Sequence, residues 1–537
     1  MPDRAADLVF VNGPTELAVT RGRISAVGAG AAGTAGPGTE VVDLAGRRLL
    51  PGFQDAHVHA VFGGLELGQC DLSGTTDLGE YRRRIGEYAA AHPEREWILG
   101  GGWSMESFPG GVPTARMLDD VVADRPVFLY NRDHHGAWVN SQALGRAGIT
   151  RESVDPADGV INRDADGHPV GCLQEGAVAL VADLAPKASA QDRLDALLRA
   201  QKLFHSLGIT AWQDAMLCAT NGYPDVSDAY RTAALDGSLT SSVVGALWWD
   251  RDRGAEQIPE LVAKRDHFSV GRLTTSTVKI MQDGVAENFT AGMTVPYRDS
   301  CGCATGNSGL SFVDPAALRE YVTALDALDF QVHVHALGDR AVREALDAIE
   351  TARQAHGFRD TRPHLAHLQV VHPDDVKRFA QLGVTANLQP LWAAHEPQMD
   401  ELTIPFLGGD LADHQYPFGD LHRSGVRLAA GSDWPVSSPD PLAGIHTAVN
   451  RQVHGHPSPP FRPSQSLDLV TAVEAYTAGS AYVNHLDDTG ALTVGHRADL
   501  VVLDRDPFAG PPQEIGAAAV DLTFVDGAEV YRSGSAS

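Results

Sequence analysis

The chain carries a His-x-His pair, His57 and His59, closing the run Leu50-Pro51-Gly52-Phe53-Gln54-Asp55-Ala56-His57-Val58-His59. Side chains two apart on a β-strand share a face, so both imidazoles can reach one cation. Four further segments supply Lys279 in Val278-Lys279-Ile280, His335 in His333-Val334-His335, His367 in His364-Leu365-Ala366-His367, and Asp433 in Gly431-Ser432-Asp433. Neutral imidazoles bind Zn2+ at about 2.0–2.1 Å, and the bound ion brings the pKa of water from about 15.7 toward about 7. A carboxylate beside that water, the role expected of Asp433, takes its proton and passes it to a departing nitrogen. A free lysine would repel the cation. A lysine that has taken up CO2 as a carbamate is instead an anionic bridge between metals.

The elements that must hold these groups alternate strand with helix. Candidate strands are Phe53–His59, Ile209–Asp214, Ser242–Trp249, Thr277–Gln282, Gln331–His335, Leu365–Gln369, Val384–Leu388 and Arg427–Asp433. Helical periodicity fills most gaps, as in Pro315–Leu328, Arg340–Ala355 and Pro373–Leu382. This pattern predicts an α/β chain built on a (β/α)8 TIM-like barrel, whose active site forms at the carboxyl ends of the strands. The gap between the first two strands is too long for a plain loop, which predicts an inserted subdomain at roughly 65–180. Short apolar runs at both ends read as small antiparallel strands that combine into one β-sandwich. The expected division is a composite sandwich from 1–52 and 491–537, and a barrel at 53–490.

Those motifs in that order resemble the amidohydrolase superfamily, and more narrowly the amidohydrolase 3 branch that includes N-substituted formamide deformylases. Asp133…His135…Trp138-Val139-Asn140-Ser141 and Gly495-His496-Arg497-Ala498-Asp499-Leu500 extend the resemblance over nearly the whole chain. It implies a metal-dependent hydrolase of amide, formamide or cyclic amide C–N bonds, acting through metal-activated hydroxide. It also implies one or two divalent ions, zinc foremost. His57, His59, Lys279 and Asp433 would hold the first, and carbamylated Lys279, His335 and His367 the second. Relatives often have an acidic residue at the position of Ala366 and a basic one at His364.

Trp103, His135, Glu175 and Trp392 are candidates to bind the substrate. Core packing competes for the tryptophans, as a helix N-terminal carboxylate does for Glu175. His333 lies one layer below His335 and reads as structural, while Asp283 and Asp339 read as loop anchors. The rival readings are a mononuclear deaminase, opposed by Lys279, and a non-catalytic regulatory relative, opposed by the intact ligand set.

A formal charge of -27 repels phosphate backbones and anionic membranes, so the expected partner is a small molecule and not nucleic acid or a membrane. Dimers are common for this fold, which leaves room for a homodimer. Five scattered cysteines read as reduced thiols, with Cys301-Gly302-Cys303 an incidental pair in a loop. Together with the lack of a signal-like start or a long apolar span, they predict a cytoplasmic protein.

Overall fold

The computed structural model describes residues 5–219 and 224–534. Its centre is an eight-stranded parallel sheet whose order follows the chain. The strands are β1 (Phe53–Val58), β2 (Ile209–Leu217), β3 (Ser242–Trp248), β4 (Leu273–Met281), β5 (Gln331–Ala336), β6 (His364–His367), β7 (Thr385–Leu388) and β8 (Leu428–Ala430). At the open seam, Asp433 N donates to His57 O at 2.8 Å and His59 N donates to Trp434 O at 2.8 Å. These bonds draw the ends of β1 and β8 together, and the sheet is a nearly closed TIM barrel.

Period-two alternation divides each strand between two buried environments. On β5, Val332 and Val334 pack outward into the main apolar cluster with Val342, Leu346 and Ile349 of the helix Asp339–His356. Gln331, His333 and His335 occupy the alternate positions and are buried as well. Gln54, Gln213, His364 and Asn387 are also buried polar residues on barrel strands, where branched aliphatics usually fill the centre. The helices follow from their own patterns. Pro373–Leu382 starts on proline and stops at Gly383, whose φ of 67° provides the left-handed turn.

Between β1 and β2 stands a six-stranded sheet running from Cys70 to Glu175. Its strands Gly136–Val139 and Pro169–Glu175 pair antiparallel, placing Gly136 opposite Gln174. The ends of these two strands carry His135 and Glu175.

The chain termini build two four-stranded sheets. Not all of their pairs are antiparallel: Leu8–Val11 runs parallel to Glu40–Asp43. The first three strands form an antiparallel meander, the fourth adds to the outer edge of the first, and residues 28–39 carry the chain back to the end where the first strand begins. The next strand, Arg48–Pro51, leaves this sheet and pairs with Leu500–Leu503 in the other. Both sheets contribute to one apolar cluster, in which Phe10 and Phe524 meet edge-to-face at 5.2 Å. No helix among the described residues is long and apolar enough to cross a membrane.

Phe524 is 1% exposed, so Phe524→Ala should cost about 3–5 kcal/mol of stability. Denaturant unfolding should show that loss, with metal content per folded molecule unchanged, because the cluster lies apart from the barrel mouth.

Candidate metal centre and active site

His57 and His59 leave the end of β1 toward Asp433, just beyond β8. Asp433 Oδ1 lies 3.1 Å from Nε2 of each imidazole. His367 Nδ1 stands 3.9 Å from Asp433 Oδ2, and the His335 and His367 rings are 4.4 Å apart. Lys279 is buried in the same wall. All six groups line one cavity of about 350 Å3. His135, His335, His367 and Asp433 also line a larger neighbouring lobe of about 770 Å3.

Local bonds fix this geometry. Asp55, one layer below, accepts from His57 N at 2.9 Å, Ser432 N at 3.1 Å and Ser432 Oγ at 2.5 Å. It thereby ties the first ligand strand to the loop that bears Asp433. Burial pushes the Asp55 carboxyl up to about 7. Gly431 permits the close approach, because a Cβ there would lie 2.6 Å from His57 N. Asp433 and His367 hold φ of 56° and 81°, a strained region for non-glycine residues that recurs at functional sites. Gln389 Oε1 accepts from His367 N at 2.7 Å. Asp283 accepts from Leu337, Gly338 and Gly292 N at 2.8–3.0 Å, and Asp339 accepts from Thr294 N at 2.8 Å. Both therefore anchor loops.

The electrostatics leave the donors in the form a cation requires. Burial lowers the His57 imidazole to about 3, and burial takes His335 and His367 well below their ordinary range. Burial alone would raise Asp433, but the imidazoles clustered around it outweigh that and take the carboxyl well below its ordinary range. Burial lowers the Lys279 amine to about 7. Among the described residues, Asp433 Oδ1, His59 Nδ1 and His367 Nδ1 are buried without a hydrogen-bond partner. Ligand atoms of His57, His59 and Asp433 lie within 4.8 Å of one another. Two imidazoles and a carboxylate clustered in this way fit a divalent cation such as Zn2+.

The inserted sheet supplies part of the wall. His135 Nδ1 pairs with Glu175 Oε2 at 2.8 Å, and Thr290 Oγ1 donates to Glu175 Oε1 at 2.7 Å. Burial opposes a charge on His135, but Glu175 outweighs it and raises the imidazole to about 9. Trp392 stacks on His367 with ring centres 5.3 Å apart and lines the larger lobe. Trp103 does not line either lobe. It is buried in the insertion's own core against Phe108 and Trp138, with Nε1 donating to Leu129 O at 2.9 Å. Sequence reasoning set Asp55 within the His-x-His motif without giving it a bond, and read Gln389, at the end of the seventh strand, as facing the pocket; the structure gives Gln389 the His367 N–H to hold instead. The position of Gln54-Asp55 just before the His-x-His was the available signal for the first.

The fold and site define a class, a TIM barrel with a cluster of imidazole and carboxylate donors at its mouth that could hold a cation. A model described as "Amidohydrolase family" matches residues 40–531, and the chain belongs to that family. The chain is 31% identical to Protein LONG AFTER FAR-RED 3 of Arabidopsis thaliana, over 98% of this chain and 92% of that one. It is 31% identical to the putative amidohydrolase YtcJ of Bacillus subtilis, over 92% and 91%. It is 27% identical to an N-substituted formamide deformylase of Arthrobacter pascens, over 96% and 95%. The crystal structure of an uncharacterized metal-dependent hydrolase from Pyrococcus furiosus is similar with a TM-score of 0.69 and 26% identity, covering 93% of this chain and 99% of that one.

Zinc that binds only the folded chain should stabilise it by about 2.7 kcal/mol when free metal is roughly 100 times Kd. Thermal unfolding with and without zinc should show the increment, and the double variant His57→Ala/His59→Ala should lose it.

Proposed function

We propose that the chain is a metal-dependent amidohydrolase that cleaves the C–N bond of a small amide, formamide or cyclic amide. The observation that carries this reading is the approach of Asp433 Oδ1 to two imidazole nitrogens, at 3.1 Å each, on the floor of a substrate-sized cavity. His57, His59, Lys279 and Asp433 would hold one divalent ion, with Lys279, His335 and His367 holding a second. A bound ion of this kind supplies Lewis acidity and brings the pKa of water toward about 7.

The chain's own groups do the rest. Asp433, its carboxyl held well below the ordinary range, takes a proton from the attacking water and delivers it to the leaving nitrogen. His135 is held cationic by Glu175 and presents a hydrogen-bond donor to the substrate from the wall that its lobe shares with His335. Trp392 and Trp434 cover apolar parts of the larger lobe and exclude water from the reacting carbon. The family membership and the similarity to a formamide deformylase support a C–N substrate.

An amine with a pKa of about 7 is about half uncharged at neutrality, where an ordinary lysine is almost wholly an ammonium. Through that uncharged fraction Lys279 Nζ would add to CO2 with release of one proton, giving an anionic carbamate that would suit a site holding two ions. This reading takes one role for the lysine that a free ammonium could not fill.

Asp433→Asn should retain metal while losing roughly 10²–10⁴-fold in kcat, measured against a panel of formamides, acyl-amino compounds and cyclic imides. An active Asp433→Asn enzyme contradicts the assigned proton transfer. Lys279→Ala should bind fewer ions per chain than the parent by elemental analysis, and the parent's metal content should fall when CO2 is excluded during loading.

A further inference from the structure

Gln213, on β2, lies beneath the rim and touches no proposed ligand. It is fully buried, and the polar groups around it can satisfy one another in only one way. The reasoning starts at Gln331, whose Nε2 lies 2.8 Å from the carbonyl oxygens of both Arg362 and Val483. Carbonyl oxygens only accept, so that end of the side chain is its NH2, and Oε1 points the other way. Oε1 accepts from Thr277 Oγ1 at 2.7 Å and from the Gln213 amide at 3.1 Å. Gln213 therefore turns its NH2 toward Gln331 and its Oε1 toward the histidines.

Gln213 Oε1 lies 2.7 Å from His333 Nδ1 and 3.0 Å from His364 Nε2. An amide oxygen cannot donate, so both ring nitrogens carry the hydrogen. The far side of His364 agrees: Asn387 Nδ2 donates to Ala56 O at 2.9 Å and meets His364 Nδ1 at 3.2 Å, which must then accept. His333 is fully buried, and no carboxylate faces it among the described residues. A neutral ring with hydrogen on Nδ1 has its lone pair on Nε2. That lone pair is 2.8 Å from His57 Nδ1, which must be the donor. His57 is left with a lone pair on Nε2, the atom that faces Asp433.

We propose that Gln213 and His333 are positioning residues that fix the tautomer of His57, through an ordered relay of hydrogen bonds anchored on the carbonyls of Arg362 and Val483. The proposal rests on the reading of His57 as a metal ligand and adds what makes it one. An imidazole in water favours its hydrogen on Nε2, the nitrogen needed for the metal. Here two neighbouring rings are held in the opposite form. The same relay explains why the barrel centre is amide and imidazole in place of aliphatic, since a single apolar replacement would leave buried donors or acceptors unmatched.

The test reads the tautomers directly, by two-bond 1H–15N correlation on 15N-labelled protein, metal-free and zinc-loaded. His333 should carry its hydrogen on Nδ1 in both forms, and zinc-bound His57 should carry its own on Nδ1. Gln213→Met removes the acceptor at nearly unchanged length. It should release His333 from that single tautomer and weaken zinc binding roughly 10–100-fold, measured by chelator competition. Wild-type His333 with its hydrogen on Nε2 overturns the relay, and so does a Gln213→Met protein that keeps both the tautomer and the zinc affinity. If Gln213→Met does not fold, the wild-type spectrum decides. A wild-type chain that takes up no zinc contradicts the metal reading, whereas the metal-free His333 tautomer judges the relay independently.

Discussion

A buried carboxylate oxygen set against the Nε2 lone pair that the hydrogen-bond relay leaves on His57 is the constraint around which the molecule is organised. Asp433 Oδ1 stands 3.1 Å from two imidazole nitrogens, and burial keeps His57 uncharged. Such a contact inside a protein is costly unless positive charge occupies the gap. The barrel supplies the energy to maintain it. Asp55 ties the β1 and β8 ends with bonds to His57 and Ser432, and the apolar shell of strands and helices stabilises the sheet that carries them.

Other parts of the fold relate to this centre by distance. Below the rim, Gln213, Gln331, His333, His364 and Asn387 form a network of amides and imidazoles that holds His57 in orientation. The inserted sheet brings the pair His135 and Glu175 to the cavity wall. The terminal sheets have a separate apolar cluster and meet the barrel through Arg48–Pro51, which runs almost directly into β1. That arrangement separates the demands of folding from those of chemistry: the insertion can vary the wall of the pocket while the ligand strands keep their register.

Much of this was legible in the sequence for a physical reason. Strand and helix periods leave strong marks, and the helix Pro373–Leu382 has the same bounds in sequence and structure because proline and glycine punctuate it. The His-x-His pair, Lys279, His335, His367 and Asp433 could be located because each sits at or near a strand end, and the structure brings them to one cavity. Trp103 misled because an aromatic that follows a run of glycines does not reveal whether it faces a core or a cavity. The parallel pairing of Glu40–Asp43 depends on which sheet edge stays free, a tertiary fact with no local signature. The orientation of the Gln213 and Gln331 amides depends on carbonyls from distant segments, Arg362 and Val483, and no spacing rule encodes it.

The most direct test of the central claim is anomalous diffraction at the zinc edge from crystals grown with zinc. The account predicts a peak at the barrel mouth, about 2.0–2.1 Å from imidazole nitrogens of both His57 and His59 and adjacent to Asp433. A mouth without anomalous density at saturating zinc, or peaks confined to surface residues, would contradict it.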